Sequence, residues 1–205
     1  AATNPYLGCE SRDNPRVKKI VILISGAGSN MAAIVQAAHQ QGWREHLGVQ
    51  VSAVISNKSD APGLTWLQTH SEFSCIQTDV LEHTQFESRE AFEQALIQRI
   101  DVHAPHLLAL AGFMRILSPE FVSRFDCINS HPSLLPAFPG AHAVRDALAA
   151  GVTETGCTVH WIDAGIDTGP IIGQIPMPIY PTDSEETLHE RIKIAERALI
   201  VETVS

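Results

Sequence analysis

The chain has 205 residues, of which 44% are hydrophobic and 18% are charged, and its formal net charge is −9. This composition provides a sizeable core and excludes extensive disorder. An acidic chain without lysine or arginine runs is a poor candidate for binding nucleic acid or an anionic membrane, so neither partner is expected. No apolar run approaches the roughly 20 residues that cross a membrane.

The four cysteines show no CxxC spacing, so we expect reduced thiols and a cytoplasmic location. The ten histidines show neither HExxH nor paired-ligand spacing, so no metal is expected. Residues 1–16 are polar and lack a signal-peptide pattern, and we interpret them as a disordered leader or a remnant of cloning. Residues 17–205 are then expected to form a single domain.

The first half of the chain alternates strand and helix patterns. Lys19–Ser25 is a continuous apolar run, typical of a strand covered on both faces. After the loop 26–30 come a helical spacing of apolar residues from Met31 to Ala38, a strand at 49–56, a helix at 61–70, a short strand at 73–78, a helix at 86–101 and a buried strand at 106–111. This alternation predicts an α/β fold with a parallel sheet and ligands at the carboxyl ends of its strands.

The second half is less regular, because a proline-rich loop follows residues 129–131. The later patterns predict a short helix at 144–150, strands at 156–163 and 170–178, and a closing helix at 184–201. Ser184, Glu185 and Thr187 favour the start of that last helix.

Asn129, His131 and Asp167 are the candidate catalytic residues. An amide can hold a developing oxyanion, an imidazole can move a proton near neutral pH, and a neighbouring carboxylate favours the protonated imidazole. If the strand end is extended, Asn129 and His131 point to the same side. The set suits transfer of an acyl-level group to a weakly basic nucleophile without a covalent enzyme intermediate. The structural alternatives are an Asn-Pro turn with a solvent-facing histidine and a hairpin turn at Asp167.

The loop Ser25–Asn30 resembles a phosphate cradle, because glycines let the backbone approach an anion and a helix start offers free N–H groups. A dinucleotide fingerprint would need a third glycine at Met31, so an ordinary tight turn stays an alternative. Arg115 could clamp a carboxylate or lie on the surface, and Arg89 has the same two interpretations. His160, in a strand pattern, is expected to be a core or pocket residue.

Seven motifs occur in order along the chain: SGAGSN (25–30), SNK (56–58), SREAF (88–92), LAGFMRILSP (110–119), NSHPSLLPAFPGAH (129–142), GCTVHWID (156–163) and DTGPII (167–172). From about Val17 onward they closely resemble the phosphoribosylglycinamide formyltransferase (GAR transformylase) family of formyltetrahydrofolate-using enzymes. The resemblance implies a Rossmann-like, doubly wound, mostly parallel sheet with a less regular C-terminal part. It also implies formyl transfer from 10-formyltetrahydrofolate, as co-substrate, to the amine of glycinamide ribonucleotide in purine biosynthesis, by a monomer or homodimer.

The resemblance also implies residue roles. Asn129 would bind the formyl oxygen, His131 would stabilise the oxyanion and take part in proton transfer, and Asp167 would keep His131 protonated and organise a proton-relaying water. The implied ribonucleotide phosphate site consists of Gly28, Ser29, Asn30, Lys193 and Glu196. The implied folate site consists of Arg89, Met114, Arg115, Ile116, Leu117, Asn129, Ile162, Asp163 and Asp167. Two departures are Ser130, where relatives usually have isoleucine, and an early end at Ser205.

Three alternatives stay open. Formyltetrahydrofolate deformylase passes the formyl group to water but carries an additional N-terminal domain, for which residues 1–16 are too short. Methionyl-tRNA formyltransferase carries a basic C-terminal domain, which an acidic chain ending here lacks. A folate- or nucleotide-binding module without catalysis is the third, and the presence of Asn129, His131 and Asp167 argues against it.

Overall fold

The computed structural model of the protein describes residues 14–115 and 117–205. The chain divides into two compact units, residues 1–116 with Ser205 and residues 117–204. Most of the predicted leader lies outside the described residues. The single domain over residues 17–205 stays a prediction.

The first unit contains a parallel sheet. Its strands are β1 (Lys18–Ile24), β2 (Val49–Ser56), β3 (Gln77–Val80) and β4 (Leu107–Leu110). Their order is β3-β2-β1-β4, and every pair is parallel. The chain therefore winds outward from β1 to β3 and returns to place β4 on the other side of β1. This reversal is the topological switch of a doubly wound fold, as the sequence predicts.

The helices of the first unit follow the strands in alternation. They are α1 (Ser29–Gln40), α2 (Trp43–Leu47), α3 (Pro62–Gln68) and α4 (Arg89–Asp101). The short helix α2 was not predicted, because five residues with one buried side chain, Trp43, give no helical period. The predicted strand at 73–78 begins four residues later, because Phe73 lies in a 3₁₀ turn and stacks on Trp66 with ring centroids 5.4 Å apart.

The core of the first unit lies on both faces of β1. Ile22, Leu23 and Ile24 are fully buried, as a continuous apolar run predicts for a central strand. Residues of α1 and α4 are buried at helical spacing, including Ile34 and Leu96. The loop 25–30 therefore follows a strand whose last three side chains are fully buried.

The second unit is antiparallel. Its elements are α5 (Pro119–Arg124), β5 (Cys127–His131), α6 (Ala143–Ala150), β6 (Glu154–Trp161), β7 (Ile171–Pro178) and α7 (Glu185–Val204). The strand β6 pairs antiparallel with both β5 and β7. Helix α5 was not predicted, although Ser118 is its N-cap and accepts a hydrogen bond from the Phe121 N–H at 3.2 Å.

The start of α7 agrees with the sequence. The Ser184 hydroxyl accepts from the Thr187 N–H at 3.2 Å, and the Thr187 hydroxyl accepts from the Ser184 N–H at 3.0 Å. This reciprocal pair satisfies two N–H groups at the helix start, as a capping box does. The helix continues to Val204, three residues beyond the predicted end.

The cysteines differ from the expectation in one respect. Cys127 and Cys157 are free and buried, whereas Cys75 forms a disulfide bond. The prediction of reduced thiols is therefore wrong for Cys75. A disulfide forms only where the fold brings the Cα atoms of two cysteines within bonding range. The spacing of cysteines along the chain does not give that distance. Within the described residues, no helix has the length and apolarity to cross a membrane.

Candidate active site

The strand β5 carries two of the three predicted catalytic residues. It pairs with β6 so that Asn129 lies opposite His160 and His131 lies opposite Thr158. Because side chains alternate along a strand, Asn129 and His131 point to one side and Ser130 points to the other. The strand is extended through His131, which was the condition for Asn129 and His131 to point to the same side.

The imidazole of His131 is buried between two acceptors. Its Nε2 lies 2.9 Å from the carbonyl oxygen of Phe138, and its Nδ1 lies 3.5 Å from Oδ2 of Asp167. A carbonyl only accepts, so Nε2 carries a hydrogen. His131 is therefore held between a carbonyl oxygen on its Nε2 side and a carboxylate on its Nδ1 side.

The carboxylate of Asp167 lies between two histidines. Its Oδ1 is 3.7 Å from Nε2 of His160, and its Oδ2 accepts a hydrogen bond from the Gly140 N–H at 2.8 Å. The Asp167 backbone has φ +55°, a conformation that few residues other than glycine adopt. The bond from Gly140 holds the carboxylate beside His131 in spite of that unusual backbone.

His160 is a functional candidate that the sequence predicts only to be a core or pocket residue. Its side chain is 3% exposed, and its Nδ1 lies 2.9 Å from the Trp161 carbonyl, which only accepts. Nδ1 therefore carries the hydrogen, and Nε2 is directed toward Asp167. The sequence did not place His160 at the site because it did not show that β5 pairs with β6. In the structure, that pairing puts His160 opposite Asn129.

The loop that carries Asp167 is organised by Asp163. Its Oδ1 accepts from the Thr168 hydroxyl at 2.6 Å and from the Gly165 N–H at 2.9 Å. The Thr168 bond, followed by that from Gly165, holds the pKa of Asp163 below its usual range. Asp163 is thus an ionised residue that shapes the loop, and neighbouring Ile162 is half-buried.

The candidate phosphate loop lies in the first unit. Gly28 has φ +63° and is the N-cap of α1, with no side-chain cap on the helix. A Cβ at Gly28 would lie 3.2 Å from Ile24 and Met31 side-chain atoms, so glycine fits both the space and the backbone angle. Ser29 and Asn30 are the first two residues of the helix. Because Gly28 has no side chain, it does not cap the N–H groups at the start of α1, and these groups are the candidate donors to an anion.

Ser25 connects this loop to two other strand ends of the first unit. Its hydroxyl donates to Oδ1 of Asn57 at 2.5 Å and accepts from the Met114 N–H at 2.9 Å. The loop, the end of β2 and the segment after β4 therefore adjoin at the carboxyl edge of the parallel sheet. This is the edge of the sheet where the sequence predicts that ligands bind.

The remaining predicted folate residues are mostly accessible. Met114 is 73% exposed, Arg115 lies over the Phe92 ring at 5.5 Å, and Arg89 is exposed at the start of α4. Leu117 is half-buried in the second unit, and Ile116 lies outside the described residues. Arg115 is half-buried against this ring, and its role as a carboxylate clamp stays a prediction.

Lys193 and Glu196 lie one turn apart on α7. The Lys193 Nζ lies 3.2 Å from Oε1 of Glu190, and the Lys193 side chain is 39% exposed. Glu196 is buried at 9% exposure. The two residues are adjacent on the helix surface, as their spacing predicts.

A cavity of about 580 Å³ lies elsewhere, in the first unit. Its walls include Lys19, His39, Arg44 and Phe73, and none of the predicted site residues. Among the residues that the structure describes, no group of three or more histidine, cysteine, aspartate or glutamate side chains could hold a metal ion.

Comparison with known proteins agrees with this geometry. The formyl transferase family model matches residues 18–204. The phosphoribosylglycinamide formyltransferase of Mycobacterium tuberculosis is 43% identical over 194 residues, covering 91% of this chain and 83% of the relative. That of Escherichia coli (strain K12) is 43% identical over 182 residues, covering 88% and 82%. The crystal structure of glycinamide ribonucleotide transformylase 1 from Symbiobacterium toebii superposes with a TM-score of 0.83 at 36% identity, covering 94% and 90%. The chain therefore belongs to the formyl transferase family.

Proposed function

We propose that this protein is a phosphoribosylglycinamide formyltransferase, which transfers the formyl group of 10-formyltetrahydrofolate to the amine of glycinamide ribonucleotide. The relatives of that name, 43% identical over most of the chain, support the substrates. The observation that carries the chemistry is the position of His131, on the same side of β5 as Asn129 and 3.5 Å from Asp167. A protein that only bound folate would not need a charged imidazole beside an amide.

In the proposed reaction, the lone pair of the substrate amine attacks the formyl carbon, and the electrons of the C=O bond move onto oxygen. The Asn129 amide donates to that oxygen, and the imidazolium charge of His131 stabilises the negative charge. The oxyanion then re-forms the C=O bond, and the bond from the formyl carbon to the tetrahydrofolate nitrogen breaks, with its electron pair moving onto that nitrogen. The proton lost by the amine reaches that nitrogen through a water organised by Asp167 and His131, so no covalent enzyme intermediate forms.

The ligand sites are part of the same proposal. The ribonucleotide phosphate would contact Gly28, Ser29 and Asn30, because glycine and the start of α1 offer N–H groups to an anion. Lys193 and Glu196 would complete that site. The folate would contact two groups of residues. The first consists of Arg89, Met114, Arg115, Ile116 and Leu117, and the second of Asn129, Ile162, Asp163 and Asp167.

The assay that tests this function follows deformylated folate from 10-formyltetrahydrofolate, with and without glycinamide ribonucleotide. We expect product only when the ribonucleotide is present. Equal product without the ribonucleotide would identify a deformylase. Binding of both ligands without any product would identify a binding module and contradict the proposal.

The proposal also includes two small-molecule partners, a cytoplasmic location and a monomeric or homodimeric state, with neither nucleic acid nor membrane bound. The net charge of −9 supports the exclusion of polyanions. Light scattering of the purified protein distinguishes monomer from dimer. Mass spectrometry without reductant, on protein alkylated in the cell, shows whether the Cys75 disulfide exists in the cytoplasm.

A further inference from the structure

Two of the three proposed catalytic side chains, His131 and Asp167, bond the same loop. We name residues 132–140 the catalytic loop. Its Phe138 carbonyl accepts from Nε2 of His131 at 2.9 Å, and its Gly140 N–H donates to Asp167 at 2.8 Å. If the loop backbone moves, the imidazole and the carboxylate each lose a partner.

The catalytic loop has an unusual backbone that needs support. Phe138 has φ +50° and Gly140 has φ +93°. The first is unfavourable for a side chain as large as phenylalanine, and it persists only where surrounding contacts hold it. Inside the loop, the fully buried Ser133 hydroxyl contacts the carbonyls of Ala137 and Phe138 at 2.6 and 3.2 Å.

The support reaches the loop from the neighbouring strands. On β6, the Thr158 hydroxyl donates to the Ser133 carbonyl at 2.7 Å and accepts from the Leu135 N–H at 3.1 Å. On β7, directly opposite Thr158, the Gln174 amide nitrogen donates to the Leu135 carbonyl at 2.8 Å and to the Thr158 hydroxyl at 3.0 Å. The side chain of Gln174 thus contacts both the loop and the residue that anchors it.

One of these two bonds leaves the sheet. The ladder pairs Gln174 with Thr158, and the bond to the Thr158 hydroxyl adds a cross-strand contact to that pairing. Gln174 itself is exposed, but both groups that it contacts belong to buried residues, Leu135 and Thr158. The bond to the Leu135 carbonyl adds nothing to the ladder, and it connects β7 to the catalytic loop.

We propose that Gln174 is a positioning residue for the reaction, which acts through Thr158 and the Leu135 carbonyl to hold the catalytic loop, and through the Phe138 carbonyl to hold His131. Gln174 touches neither reacting group. The expected effect of Gln174 on the reaction rate rests on the proposed function. The expected effect of Gln174 on the position of His131 does not depend on the substrate.

The test replaces Gln174 by methionine, which has a similar length and no hydrogen-bond donor. We expect Gln174→Met to lower kcat by about tenfold or more, because small displacements of a reacting group reduce the rate strongly. The KM for each substrate should change by less than about threefold, because the loop is proposed to act on the chemical step. Gln174→Glu keeps the size and polarity but cannot donate to Leu135, so it should show the same loss.

Leu199→Ala is the matched control. Leu199 approaches β7 from the α7 side, where its Cδ1 lies 3.1 Å from the position of a Cβ on Gly173. This variant loosens the same strand without removing a bond to the catalytic loop. At a comparable loss of thermal stability, we expect Leu199→Ala to keep the wild-type kcat.

A second measurement does not depend on activity. In protein labelled with ¹⁵N-histidine, the ring nitrogen signals of His131 report the hydrogen on Nε2. We expect these signals to change in Gln174→Met and Gln174→Glu and to stay unchanged in Leu199→Ala. If the wild type transfers no formyl group, the proposed function fails, and the His131 signals still test the positioning role.

Two results would overturn the inference. One is a kcat within about twofold of the wild type in both Gln174 variants, with unchanged His131 signals. The other is an equal loss of kcat in Leu199→Ala at equal stability, because the effect would then follow stability and not the position of His131.

Discussion

The two nitrogens of the His131 ring face the Phe138 carbonyl and the Asp167 carboxylate, neither of which donates a hydrogen bond. Replacing this residue removes the positive charge beside the proposed oxyanion. We expect His131→Ala to lower kcat by about 10²–10⁴-fold, the range typical of a lost acid–base group. Ribonucleotide binding, measured by calorimetry, should stay largely intact. Wild-type kcat in the variant would remove His131 from the mechanism.

Asp167 contributes a charge as well as a position, and Asp167→Asn separates the two. The amide oxygen can still accept from Gly140, so the loop keeps its bond, but the negative charge beside His131 is lost. Without that charge, Nδ1 of His131 no longer faces a carboxylate. We expect a lower kcat, with ribonucleotide binding largely unchanged. A wild-type kcat in this variant would contradict the coupling between the two residues.

The two free thiols are protected by burial. Burial, aided by Asp126, raises the pKa of Cys127 to about 12, and burial, aided by Glu196, raises the pKa of Cys157 to about 11. At pH 8 both are therefore protonated, and the thiol form reacts poorly with electrophiles. We expect iodoacetamide to leave both unmodified in the folded protein and to modify both in urea, as read by peptide mass spectrometry. Rapid labelling of the folded protein would show that the protection is absent.

At the scale of elements, the sequence predicted those with a strong period or a local signal. The apolar run of β1 and the cap of α7 by Ser184 lie where the sequence places them. The helices α2 and α5, with five and six residues, are too short to show a period. Their formation depends on burying Trp43 and Phe121 in the folded unit, which a local pattern does not report.

The candidate site could be predicted only in part for a related reason. Asn129, His131 and Asp167 are recognisable because their residue types suit one reaction and lie in distinctive motifs. The contributions of His160 and Gln174 depend on the antiparallel register of β6 with its neighbours. A register is a long-range property, so neither residue stands out in the linear sequence.

The connection from β7 to α7 contains an ion pair with a pH-dependent contribution. Both terminal nitrogens of the Arg191 guanidinium, Nη1 and Nη2, donate to the Asp183 carboxylate, at 2.6 and 2.9 Å. These bonds hold the pKa of Asp183 well below its usual range. A depressed pKa adds stability that is fully present above the ordinary aspartate value and is lost as the pH falls below it. We expect Asp183→Asn to lower the urea midpoint at pH 7 and to differ less from the wild type at pH 3.

The control for this ion pair is Glu190→Gln, which changes the net charge equally at a side chain that is 66% exposed. An exposed pair contributes little to stability, so its urea midpoint should stay near that of the wild type at pH 7. An Asp183→Asn midpoint equal to that of the control would show that the bidentate pair does not stabilise the protein.

At the scale of the molecule, the family match extends from residue 18 to residue 204 and therefore includes residues of both compact units. The proposed ligand residues are likewise drawn from both, with Asn30 in the first and His131 in the second. Catalysis by the proposed set therefore requires both units to be folded under assay conditions.

The single-domain prediction therefore has a thermodynamic consequence. One cooperative domain unfolds in a single transition whose calorimetric and van't Hoff enthalpies agree. A ligand present at 100 times its Kd adds about 2.7 kcal/mol to the folded state, which raises the Tm of a chain of this length by roughly 5–11 °C. We expect glycinamide ribonucleotide to shift the whole transition by that amount, in the wild type and in His131→Ala alike. Two separate transitions, of which the ribonucleotide moves only one, would show that the units unfold independently.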